Sequence, residues 1–320
     1  MMNRRKFLAA TAATTASATF LPMPYVKAQS NTTIRMGALK LIHSIAPHFY
    51  EQFTPEGYTV EVIPFESPTE GKNAVVTKSV DFGMFGIAAA TLGAAAGEPI
   101  VVIGGACNKG MGVVAGKDSD IESIADLKGK RVAIWPGSTQ EVFILERLRM
   151  EGMSIADITP LRISFSEMHL ALARGDIDAY VGAEPAPGVS LASGVGKIVE
   201  YPYGTEMGAL NMIFGAHRDT LAERPEITSV ILDIHRQASE FAMANPSELV
   251  EMAVMKLGQQ REAIELSAPN VELTWYFGET ELTQSKTYAQ HMLELKQIQA
   301  LPDFATLFDT RFVEELKQRA

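Results

Sequence analysis

Cysteine is nearly missing from this chain: Cys107 stands alone among 320 residues. A disulfide within the chain and a cysteine-rich metal site are both excluded. Basic residues are the minority, 28 Lys and Arg against 38 Asp and Glu, which leaves a formal charge of −10. A field of that sign argues against nucleic acid or an acidic membrane surface as partner, although a local site can oppose it. Catalytic signatures are missing too: there is no G-x-S-x-G, H-E-x-x-H or Walker A sequence. The six histidines, His43, His48, His169, His217, His235 and His291, are scattered and none pair at i,i+4, so no metal site is expected. Gly110-Met111-Gly112-Val113-Val114-Ala115 nominally matches a dinucleotide fingerprint. Its glycines precede an apolar extended run instead of opening a helix, so no cofactor is expected there. Asp118, Asp120 and Glu122 lack the turn glycine and distal glutamate of a calcium loop. With no catalytic constellation present, a non-enzymatic role is expected.

What is present is an ordinary globular composition, 47% hydrophobic and 21% charged, in a length that suits about two domains. Residues 1–28 read as an export leader. Arg4-Arg5-Lys6 is followed by a weakly apolar run of Ala and Thr, and Val26-Lys27-Ala28 offers small residues at a cleavage site. The paired arginines before Lys6-Phe7-Leu8 resemble the twin-arginine export motif. Cleavage after Ala28 removes four basic residues and no acid, which takes the formal charge from −10 to −14. The product is expected in the periplasm. No later stretch approaches the roughly 20 apolar residues of a membrane span.

From Thr32 onward strands alternate with helices, the pattern of βαβ units and a parallel-rich sheet. Strands are expected at Thr33–Leu39, Tyr58–Phe65, Val80–Phe85, Ile100–Gly104, Arg131–Trp135, Leu161–Phe165 and Ile177–Val181. Met111–Ala115 reads as extended. Capping-box spacing at Ser123/Asp126 and Ser138/Glu141 marks two helix starts. Beyond Arg224 the chain reads as mostly helical. One echo stands out: Val80-Asp81-Phe82 and Asp176-Ile177-Asp178-Ala179 each lead from a helix through an acidic turn into a short strand, as two α/β lobes of similar plan would.

In open α/β sheets ligands sit beyond the carboxyl ends of strands. Four loops occupy such ends. His43 lies in Leu39–Ser44, and Met84 and Phe85 lie in the glycine-flanked turn Gly83–Gly86. Gly137, Ser138 and Thr139 follow Trp135 and open a helix, where free N–H groups and the dipole favour an anion. Glu184 follows Tyr180 and sits beside Pro185, a carboxylate suited to a ligand amine or ring N–H. Each has a plain structural alternative: capping for Ser138, core packing for Trp135, Tyr180, Met84 and Phe85, and a backbone acceptor role for Glu184.

The motif order resembles the periplasmic solute-binding proteins of nitrate/sulfonate/taurine transport, a superfamily that includes binders of thiamine-pyrimidine precursors. The resemblance is carried by Val80-Asp81-Phe82-Gly83, then Gly112–Ser119 with Asp126-Leu127-Lys128-Gly129-Lys130, then Gly137-Ser138-Thr139. Ala171–Ala179 with Glu184-Pro185 completes it. Ala183 stands where that family often has an aromatic residue. The resemblance implies a two-lobed α/β fold of the type II periplasmic binding class. Lobe one would be 32–115 plus 212–320 and lobe two 116–211, with crossovers near Val113–Asp118 and Ala209–Phe214. It also implies a small polar ligand in the cleft, an organosulfonate first or a planar nitrogenous compound second. The partner would be the membrane permease of an ABC importer, and the chain a monomer. An enzyme or a sensor on the same fold is the competing class.

Overall fold

The computed structural model describes residues 31–319; the leader expected over 1–28 lies outside the described residues. Eleven strands form two sheets. β1 is Thr32–Leu39, β2 Tyr58–Phe65, β3 Phe82–Gly86, β4 Ile100–Lys109, β5 Met111–Gly116, β6 Arg131–Ile134, β7 Thr159–Arg162, β8 Ala179–Ala183, β9 Gly196–Glu200, β10 Leu210–His217 and β11 Val271–Leu273. The first sheet runs β11-β4-β10-β3-β1-β2 and the second β7-β6-β8-β5-β9. β1 pairs in parallel with β2 and β3, and β6 with β7 and β8, while β10 and β5 run antiparallel to their neighbours.

The crossover differs from expectation. Met111–Gly116 bonds to β8 on one side and β9 on the other, so it belongs wholly to the second sheet. The chain therefore passes between sheets at Gly110, whose φ of +77° is a left-handed turn open to glycine. It returns between Glu200 and Leu210. A second shift concerns Phe165. Ser164 takes the N-cap position, so Phe165 opens the helix Phe165–Ala173 instead of ending a strand, and β7 closes at Arg162.

The acidic echo is structural. Asp81 accepts from the Arg35 backbone N–H at 2.8 Å and pairs with its guanidinium at 3.0 Å. Asp178 does the same to Arg131 at 2.7 Å and 2.7 Å. In each sheet a two-pronged arginine pins the entry of one parallel strand to its neighbour.

Packing follows the period-2 rule. In the second sheet Val113, Val132, Ile134 and Val181 pack on one face, and Val114, Ala133 and Tyr180 on the other. The first sheet carries the larger core, with Phe49, Phe82 and Phe214 buried on the side of the helix Pro225–Ala244 and Phe85 on the other face, toward the helix Pro68–Val76. Buried His235 is fully bonded there: its Nδ1 meets the Tyr50 hydroxyl at 3.0 Å and its Nε2 the Gly105 carbonyl at 2.9 Å. Burial pushes the Cys107 thiol up to about 12, which leaves it inert. No helix among the described residues is long and apolar enough to cross a membrane.

Candidate functional site

The carboxyl ends of the parallel strands in the two sheets meet along a seam. Part of that seam is sealed. The helix Thr139–Met150 starts directly on β3, where a Cβ added to Gly86 would lie 2.5 Å from the Thr139 hydroxyl. Thr139 donates to the Asn211 carbonyl at 3.3 Å. Ser138 donates to the Trp135 carbonyl at 2.6 Å and accepts from the Glu141 N–H at 3.2 Å. The Glu141 carboxylate accepts from the Gly137 N–H at 2.8 Å and from Gln297 Nε2 at 2.9 Å. A protein carboxylate thus stands at the helix start where a ligand anion is expected, and Ser138 and Thr139 are wholly buried.

Glu184 is also enclosed. Its carboxylate accepts from the Gly188 N–H at 3.1 Å and from Asn270 Nδ2 at 2.9 Å. The Glu184 N–H donates to the Gly110 carbonyl at 2.9 Å, and the Gly110 N–H donates to the Asn270 carbonyl at 2.7 Å. Three residues far apart in sequence close a ring of hydrogen bonds on the crossover. Burial pushes the Glu184 carboxyl up to about 7 against the pull of Ser267, Asn270 and Gly188. The geometry gives this carboxylate protein partners.

His43 sits behind the seam in the short turn Ile42–Ser44, its ring against Gly110, 1% exposed and with neither nitrogen hydrogen-bonded. Burial pushes its imidazole down to about 4, so it is neutral. Met84, Phe85 and Tyr180 are core residues; the Tyr180 hydroxyl meets Ser190 at 2.8 Å.

The open part of the seam lies at the ends of β2 and β6. A cavity of about 540 Å³ is lined there by Phe65, Ser67, Thr69, Glu70, Asn73, Trp135 and Arg162, among others. Trp135 alone of the expected residues faces it. The Arg162 guanidinium lies 4.8 Å over the indole ring, and the Phe165 ring is 6.5 Å away. Arg162 has no carboxylate partner among the described residues, and the buried Trp135 Nε1 has no hydrogen-bond partner. A narrower cavity of about 200 Å³, lined by Lys40, Leu41, Glu66, Phe165, His169 and Lys256, flanks it. The strand-end rule points here as well, because Glu66-Ser67-Pro68-Thr69 directly follows β2. Arg162 gave no such signal, because nothing in its neighbourhood shows that β7 ends beside Trp135.

The model of the family described as NMT1/THI5 like matches residues 50–249. The chain belongs to the NMT1/THI5-like family. That bears out the resemblance carried by the motif order. A protein of Escherichia coli (strain K12) named for binding aliphatic sulfonates is 21% identical over 224 residues, 69% of each chain. A 4-amino-5-hydroxymethyl-2-methylpyrimidine phosphate synthase of Aspergillus parasiticus is 27% identical over 213 residues, 62% of each. Among solved structures, the alkanesulfonate-binding protein of Xanthomonas axonopodis pv. citri bound to MOPS matches with a TM-score of 0.76 at 20% identity. The match covers 87% of this chain and 98% of that one. The fold of this NMT1/THI5-like chain is accordingly the two-lobed α/β architecture of periplasmic binding proteins.

Proposed function

We propose that this chain is the periplasmic solute-binding component of an ABC importer and holds a small organic anion between its lobes. The carrying observation is the Arg162 guanidinium, without a carboxylate partner among the described residues and seated on Trp135, at an open stretch of the seam. Both likenesses to sulfonate-binding proteins support the reading. On sheet membership, lobe one is 31–109 plus 210–319 and lobe two is 111–200, with the pivot at Gly110. Ligand shifts the population toward a closed form, which docks as a monomer on a membrane permease.

A thermal-stability screen of the exported protein tests this, because a ligand that binds only the native state raises the melting temperature. Ethanesulfonate raises it in the native chain and does so at least tenfold less potently in Arg162→Gln. Indifference to every anion tested refutes the reading. A response confined to uncharged nitrogenous rings shifts the weight to the second reading, a planar nitrogenous ligand. Phe65 and Trp135 in one cavity favour that reading. The likeness to a synthase is the basis for an enzyme; the leader argues against a biosynthetic role. For export, Arg4→Lys with Arg5→Lys strands the precursor in the cytoplasm; normal periplasmic recovery overturns the twin-arginine route.

A further inference from the structure

We propose that the ligand of the Trp135–Arg162 cavity is an organic anion with a flat aromatic body, and that Trp135 is the residue that selects for that body. The inference rests on the reading of this cavity as an anion site. The walls supply two kinds of surface. Phe65 and Trp135 present aromatic faces and Ala74 a methyl group. Arg162, Ser67, Thr69 and Asn73 present donors, while the Thr77 hydroxyl is spent on the Asn73 carbonyl at 2.9 Å. Glu70 is the acid of the lining, and its carboxylate is tied back to the Glu66 N–H at 2.9 Å.

Size and surface decide between ligand bodies. The space of about 540 Å³ is a groove open to solvent on one side, with room for a ring laid against its wall. An inorganic anion such as nitrate answers the guanidinium and leaves the aromatic walls against water. A short alkyl chain covers little more of them. A flat ring covers apolar wall while its acidic group reaches the guanidinium. The indole stacks well with another π-system, and a cation over its face is a favourable arrangement for both. The Arg162 guanidinium, 4.8 Å over the indole and without a carboxylate partner among the described residues, is the donor that an oxygen of a sulfonate or carboxylate satisfies.

Calorimetry of the exported protein with benzenesulfonate and with ethanesulfonate tests the proposal. Benzenesulfonate is expected to bind at least tenfold tighter. That ratio collapses toward one in Trp135→Ala and is retained in Trp135→Phe, which keeps an aromatic face and guards against a folding defect. Arg162→Gln weakens both sulfonates by a similar factor, since it removes the charge they share. Equal affinities in the native chain, or a ratio that survives Trp135→Ala, overturn the aromatic inference and leave anion binding standing. If neither sulfonate binds the native chain, both readings fall.

Discussion

The seam between the two sheets has two regions of opposite character. On the Gly110 side, Glu184, Gly110 and Asn270 close a hydrogen-bonded ring to which Gly188 adds a donor, and a Cβ on Gly188 would meet the Ser267 hydroxyl at 2.1 Å. On the Trp135 side, a guanidinium, an indole and a row of hydroxyl groups border open space. Both regions satisfy the rule that ligands sit beyond strand ends. The first buries its one unbonded group, the His43 imidazole, away from open space, while the second leaves the Arg162 guanidinium without a carboxylate at the cavity wall. A polar side chain at a strand end is a ligand residue only when the protein supplies it no partner, and a carboxylate with two protein donors has a structural task already.

The sharpest way to break this contrast is Glu184→Ala. It strands the buried Gly188 N–H and removes the tie to Asn270, whose amide keeps the Leu266 carbonyl, so a loss of about 3 kcal/mol of stability is expected. Urea unfolding checks it, and an unchanged midpoint means the sealed region holds nothing together. Gly188→Ala comes next. The added methyl group meets the Ala263 carbonyl at 2.4 Å as well as Ser267, and backbone cannot step aside. An overpacking loss of about 2 kcal/mol follows, read by the same titration.

The pH dependence of stability separates the two kinds of buried group. Burial holds the imidazoles of His43, His48 and His235 down to about 4, so the folded chain refuses protons that the unfolded chain binds below about 6.5. Their contribution is lost as pH falls from 6.5 toward 4. Glu184, pushed up to about 7 from 4.5, works the other way: its contribution is lost as pH rises through that window. Three histidines outweigh one carboxyl, so the unfolding midpoint falls between pH 6.5 and 4.5. In Glu184→Gln the fall is steeper, because the opposing group is gone. A shallower fall contradicts the sign given to Glu184.

The smallest effect belongs to the rim of the open region. Lys40 and Glu66 form an exposed ion pair beside the narrow cavity. Lys40→Ala is expected to change stability by less than about 0.5 kcal/mol, and a larger loss in thermal unfolding would show that the rim is built more like the sealed region.

Much of the fold was legible because its signals are local. Tyr58-Thr-Val-Glu-Val-Ile-Pro-Phe65 reads as a strand and is one, half-exposed in alternation at the sheet edge. Ser123 and Asp126 form the capping box their spacing announces. The site was less legible. Of nine expected residues Trp135 alone borders the cavity of the proposed site, whose other walls include Phe65, Ser67, Thr69 and Arg162. Met111–Ala115 was recognisable as extended, yet the choice of sheet depended on pairing with Tyr180 and Ile198, distant in the chain.

The amino-acid sequence determined the alternation of strands and helices, the helix starts, and the paired turns at Asp81 and Asp178. The alternation and the helix starts are settled within a few residues by hydrogen-bonding geometry and backbone preference, while the two turns are legible as a repeated local pattern that Arg35 and Arg131 complete from a distance. The tertiary structure alone decided which strand ends stay open. Thr139 fills the space before Gly86, and Asn270 completes Glu184 from 86 residues away. Whether a polar group is spent or free depends on what arrives from across the seam, and that is a property of packing between distant segments.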